Sequence, residues 1–107
     1  MSAPIQRAFR MRLKAGMVDE YRRRHDAIWP ELAGLLRDAG IYDYSIWLDE
    51  ETLHLFAVLK LHPGDTTASL PRHPVMRRWW DYMADLMEVE PGNRPTERPL
   101  APMFYLA

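Results

Sequence analysis

Tyr21 and His25 stand four residues apart in the segment Tyr21-Arg22-Arg23-Arg24-His25-Asp26-Ala27-Ile28-Trp29-Pro30-Glu31-Leu32. On a helix, that spacing puts both side chains on one face, one turn apart. Imidazole titrates near pH ~6.5, so it can give and take a proton at neutral pH. Of the four histidines, His25 alone lies inside a strong helical pattern. With a phenol beside it, it forms a workable acid/base and hydrogen-bonding unit for a small polar substrate. On the spacing alone, a partly exposed helix histidine without a role fits equally well.

A second cluster is Arg77-Arg78-Trp79-Trp80-Asp81-Tyr82. Adjacent residues on a helix diverge by about 100°, so the two tryptophans cannot both point deep into one core. Either both are large core anchors, or one packs while the other borders a pocket. A tryptophan face suits the C–H surface of a sugar, and its N–H can donate to a hydroxyl. Further aromatics fall at Tyr42, Tyr44 and Trp47 and at Phe104 and Tyr105. Tyr44 reads equally well as a core residue with a satisfied hydroxyl.

Other chemistries find little support. With no cysteine, the chain has no disulfide, thiolate nucleophile or cysteine-ligated metal. His25, His54, His62 and His73 lack short metal-ligand spacing, so no metal is expected. The scattered glycines make no phosphate loop. That leaves acid/base chemistry without a cofactor, or plain binding. Fourteen basic against 15 acidic residues give a net charge of −1. This offers no electrostatic reason for a nucleic-acid or membrane partner. Arg22 to Arg24, flanked by Asp19, Glu20 and Asp26, reads as a solvated helix face with local ion pairs. No signal peptide is visible, and no apolar run approaches the roughly 20 residues of a membrane span. The expected location is cytoplasmic.

The elements that must position these groups follow from periodicity. The 107 residues fit one domain, 1–107. Ile5 to Leu13 alternates as a half-exposed strand, with Phe9, Met11 and Leu13 on one face. Met17 to Ala39 is helical, with a kink or restart near Trp29 because of Pro30, and Gly40 as its stop. Ile41 to Leu48 and Leu53 to Leu61 form a hairpin, with Tyr42, Tyr44, Ile46 and Leu48 sharing one face of the first strand. Asp65 to His73 reads as a loop or broken helical turn. Val75 to Met87 is a second helix, Glu90 to Pro99 a loop, and Leu100 to Leu106 a final strand. The order β-α-β-β-α-β is an α+β, ferredoxin-like arrangement, an antiparallel sheet with both helices on one face. Since Phe56 and Val58 make the third strand apolar on both faces, the second face needs a cover. A homodimer forming an α/β barrel is the simplest cover, and a monomer with an aromatic groove is the alternative.

Taken together, four blocks resemble the L-rhamnose mutarotase family. They are Tyr21-(three basic)-His25-x-x-Ile28-Trp29-Pro30-Glu31-Leu32; Gly40 with Tyr44-x-Ile46-x-Leu48-Asp49; Trp79-Trp80-x-Tyr82-Met83; and Phe104-Tyr105-Leu106. The resemblance runs from about Arg7 to the C-terminus. It implies a dimeric α/β barrel, a reducing 6-deoxy sugar as substrate and no cofactor. It also implies that His25 is the acid/base residue and that Tyr21, Tyr44, Trp79 and Trp80 contact the sugar. In the mechanism it suggests, His25 as imidazolium protonates the ring oxygen and recovers the proton at closure. Preference for L-fucose or another deoxy-sugar, a cofactor-free oxygenase, and a ligand-binding barrel without catalysis are the competing readings.

Overall fold

The computed structural model describes residues 4–107; Met1 to Ala3 of the 1–107 domain lie outside the described residues. The elements run β1 (Ile5–Arg12), α1 (Val18–Asp26), α2 (Pro30–Asp38), β2 (Ile41–Leu48), β3 (His54–Leu61), α3 (Pro74–Met83) and β4 (Arg98–Pro99). Short 3-10 turns occupy Thr67–Arg72 and Ala84–Leu86. The result is an α+β fold built on a four-stranded antiparallel sheet of order β2-β3-β1-β4.

The expected first helix is two helices. Trp29 adopts an extended backbone (φ −60, ψ 128) and Pro30 opens α2 at a position where no backbone N–H is needed. Gly40 follows α2 with φ +100, and a Cβ there would lie 2.9 Å from Asp65 Cβ, so both backbone and space demand glycine. At the start of α3 the His73 Nδ1 accepts from the Val75 N–H at 3.2 Å, capping the helix before Pro74 constrains it.

The core lies between the helices and one face of the sheet. Leu55, Ala57, Leu59 and Leu61 of β3 alternate into it, with Met11 and Leu13 from the first strand region. Tyr21, Leu32, Met76, Trp79 and Met83 meet them from the helices. Phe56 and Val58 therefore lie on the face away from the helices, half-buried. Trp47, paired opposite Phe56, shares that face and keeps 68% of its surface exposed.

Two expectations about the strands are corrected. Tyr42 does not share a face with Ile46 and Leu48. The register shifts between Tyr42 and Ser45, so Tyr42 pairs with Lys60 whereas Ile46 pairs with Ala57. The cause is a bulge at Asp43, whose φ is +47 and whose carboxylate binds Lys60 at 3.1 Å. The last strand is Arg98–Pro99 rather than Leu100 to Leu106. It pairs with Arg10 and Phe9, and the Leu100 N–H adds one bond to the Ala8 carbonyl. Beyond it Pro102 has no N–H to donate, and the tail from 101 to 107 has no regular structure and lies exposed.

Candidate functional site

Between the helix layer and the sheet lies a cavity of about 1020 Å³. Tyr21, His25, Tyr44, Trp79 and Trp80 all line it. The five residues come from three elements: α1 supplies the first two, β2 the third and α3 the pair.

His25 is held by α1 itself. Its ring stacks on Tyr21 at 4.3 Å between centroids, one helical turn away. Its Nδ1 lies 3.1 Å from the Tyr21 carbonyl oxygen. A carbonyl can only accept, so Nδ1 carries the proton and Nε2 presents the lone pair in the neutral ring. Trp79 meets the imidazole edge-on at 5.4 Å. Burial lowers the His25 pKa, against smaller raising effects from the Tyr21 carbonyl and Asp26. Burial therefore favours the uncharged imidazole over the imidazolium that the family resemblance suggests.

Tyr21 is 9% exposed, and burial, then the neighbouring Tyr44, pushes its phenol upward. Tyr44 lines the open cavity and keeps 39% of its surface accessible. Burial, then the Glu97 charge, raises its pKa as well. Both phenols stay protonated and available as hydrogen-bond donors at neutral pH.

The tryptophans divide as adjacent helix positions must. Trp79 is buried, packed edge-on against Trp29 at 5.1 Å as well as against His25. Trp80 is half-buried, and the Arg94 guanidinium lies over its ring at 5.6 Å. Both nevertheless border the cavity.

The three consecutive arginines are not uniformly solvated. Arg23 bonds Glu20 on its own helix. Arg24 has a side chain only 11% exposed, and it donates to Glu20 at 2.7 Å and to Asp85 at 2.9 Å. It also donates to the Tyr82 carbonyl and covers the Tyr82 ring at 4.4 Å. Glu20 is thereby held at about 2, principally by its hydrogen bonds to Arg23 and Arg24. Arg24 thus fastens the helix of His25 to the helix of Trp79.

Among the described residues no three His, Asp or Glu side chains gather as metal ligands. Among the same described residues, no helix is long and apolar enough to cross a membrane.

The family model described as L-rhamnose mutarotase matches residues 6–106. The chain belongs to the L-rhamnose mutarotase family. It is 66% identical to the L-rhamnose mutarotase of Burkholderia ambifaria over 99 residues, covering 92% of this chain and 95% of that one. It is 60% identical to the L-rhamnose mutarotase of Sinorhizobium fredii over 100 residues, covering 94% and 96%. The crystal structure of an L-rhamnose mutarotase from Formosa agariphila superposes with a TM-score of 0.88 at 43% identity, covering 95% of this chain and 98% of that one. Membership explains why the four sequence blocks occur in one order on one small fold.

Several cavity residues escaped the sequence reading. Arg7 lines the wall from β1 and donates to Thr67 Oγ1 at 3.3 Å. Arg94 and Glu97 line it from the segment before β4. Trp29, a helix break and a member of the first family block, stacks on Tyr82 at 5.5 Å and meets Trp79 edge-on without itself lining the cavity. Only their position in the folded chain marks Arg7, Arg94 and Glu97, because none of the three has periodic spacing with the site.

Proposed function

We propose that this chain is a cofactor-free isomerase that interconverts the α and β anomers of L-rhamnose by acid/base ring opening and closure. Family membership across residues 6–106 carries the reading. The gathering of Tyr21, His25, Tyr44, Trp79 and Trp80 around one cavity supports their proposed roles.

In opening, the C1 hydroxyl loses a proton, the bond from C1 to the ring oxygen breaks, and the ring oxygen gains a proton. The aldehyde rotates about C1–C2 and closes on its other face. His25 Nε2 is the proton-transfer atom. Neutral at rest, it takes the O1 proton on opening and returns it on closure, a contribution of roughly 10²–10⁴-fold. Water in the cavity supplies the ring oxygen's proton and takes it back. Tyr21 and Tyr44, kept un-ionised by burial, donate hydrogen bonds that orient the sugar. Trp79 and Trp80 take the apolar face and the C6 methyl, whose burial contributes about 0.8 kcal/mol per carbon.

The same proposal makes the working unit a cytoplasmic homodimer. The sheet order β2-β3-β1-β4 with helices on one face supports a ferredoxin-like unit. Two such units facing across their open sheets form a dimeric α/β barrel over the single domain. The half-buried Phe56 and Val58, the exposed Trp47 and the exposed tail residues Met103, Phe104 and Leu106 are apolar surface that this assembly covers. Saturation-transfer proton NMR on L-rhamnose tests the activity, with enzyme-dependent exchange between anomer signals as the expected result.

A further inference from the structure

The segment between Glu90 and β4 forms part of the cavity wall, with Arg94, Pro95 and Glu97 all lining it. The segment is pinned rather than loose. Asn93, at φ +67, donates from Nδ2 to Asp81 Oδ1 on α3 at 3.1 Å. The Glu90 N–H bonds the Arg94 carbonyl at 2.7 Å, and the Thr96 N–H bonds the Glu88 carbonyl at 3.1 Å. Two prolines, Pro91 and Pro95, further restrict it.

This wall carries an opposed charge pair. Arg94 Nη2 lies 3.5 Å from Glu97 Oε1, with side chains 49% and 38% exposed. Such a pair on the surface contributes little to stability, so stability is a weak reason for placing it here. Its neighbours are more informative. Arg94 lies over the Trp80 ring at 5.6 Å, and Glu97 lines the same cavity as Tyr44, whose phenol its charge helps to push upward. Each charge therefore adjoins one of the aromatic groups proposed to hold the sugar. A carboxylate accepts from two vicinal hydroxyls and a guanidinium donates from a planar fork, which are the groups that read hydroxyl configuration.

We propose that Arg94 and Glu97 are specificity residues of the sugar site. Glu97 accepts hydrogen bonds from the ring hydroxyls, and Arg94 donates to them while covering Trp80. The proposal rests on the mutarotase reading. The aromatic residues alone recognise the apolar face of a deoxy-sugar, whereas the charged pair selects among its hydroxyl patterns.

The test uses the full chain, with anomer-exchange kinetics on L-rhamnose and on analogues singly deoxygenated at C2, C3 or C4. In Glu97→Ala and Arg94→Ala, KM for L-rhamnose should rise about tenfold, the effect of losing a hydrogen bond to a charged group. The kcat should stay within about threefold of wild type, since binding rather than proton transfer is lost. At least one deoxygenated analogue, poor for the wild type, should be handled by Glu97→Ala as well as L-rhamnose is. Both positions are exposed, and melting temperatures near wild type would confirm folded variants. Unchanged KM and unchanged discrimination in folded variants of an active enzyme would overturn the proposal, as would a fall in kcat with KM unchanged. A wild type that accelerates no anomer exchange would overturn the mutarotase reading, and this proposal with it.

Discussion

Tyr21 restrains His25 in two ways: its ring stacks on the imidazole at 4.3 Å, and its carbonyl oxygen receives the Nδ1–H at 3.1 Å. The helix thus fixes both the plane and the tautomer of the imidazole without a carboxylate partner. Tyr21→Phe keeps both restraints and removes only the hydroxyl. In a mutarotase assay it should raise KM for L-rhamnose by about fivefold or more, the scale of one lost hydrogen bond, with kcat affected less. A fall in kcat with unchanged KM would instead place the hydroxyl in proton transfer.

The pH profile carries a sign that the burial of His25 determines. Its pKa is lowered from 6.5 by burial, so the neutral form predominates at pH 7 and is lost as pH falls through the lower, folded value. The kcat/KM should therefore hold on the alkaline side and decline as pH falls below about 6.5. Stability contributed by keeping this ring neutral is present above that value and is lost in the same acid direction. A rate that falls as pH rises from 6 to 8 would restore imidazolium as the working form.

Arg24 should matter to both stability and catalysis, although it is not proposed to touch the sugar. Removing it leaves Glu20, Asp85 and the Tyr82 carbonyl without their shared donor. Arg24→Ala should lose about 2 kcal/mol, from charge-assisted bonds and the packing over Tyr82. It should also lower kcat, since α1 and α3 lose their main polar connection. Chemical denaturation and exchange kinetics on the same preparation would show whether the two effects occur together.

Val58→Glu addresses assembly. Val58 lies on the sheet face away from the helices, so a carboxylate there does not enter the core. The variant should retain its helical circular dichroism and scatter light as a monomer. A wild type that is itself monomeric and fully active at micromolar concentration would contradict the proposed dimer.

Much of this architecture was legible because it rests on local rules. The break at Trp29 follows from Pro30, the stop at Gly40 from a positive φ, and the burial of β3 from strict alternation. The aromatic and imidazole members of the site were legible because helix spacing and family blocks mark them. The bulge at Asp43 was not, since Tyr42, Tyr44, Ile46 and Leu48 alternate whether or not a residue is inserted. The last strand was misplaced because Leu100 to Leu106 has strand composition but, in this chain, only Leu100 finds a backbone partner on β1. Arg24, Arg94 and Glu97 gave no signal because their roles depend on neighbours distant in sequence, such as Asp85, Trp80 and Tyr44.

The central claim is best tested by saturation-transfer proton NMR, comparing wild type with His25→Ala at pH 7.5 on L-rhamnose and glucose. Wild type should accelerate exchange between the anomers of L-rhamnose, and that of glucose less, because the C6 hydroxyl would lie beside tryptophan without a partner. His25→Ala, with an unchanged melting temperature, should exchange L-rhamnose at least about tenfold more slowly. Greater activity on L-fucose would keep the chemistry and change the preferred sugar. Equal or faster exchange of glucose would contradict a deoxy-sugar pocket, and an undiminished rate in folded His25→Ala would remove His25 from the mechanism.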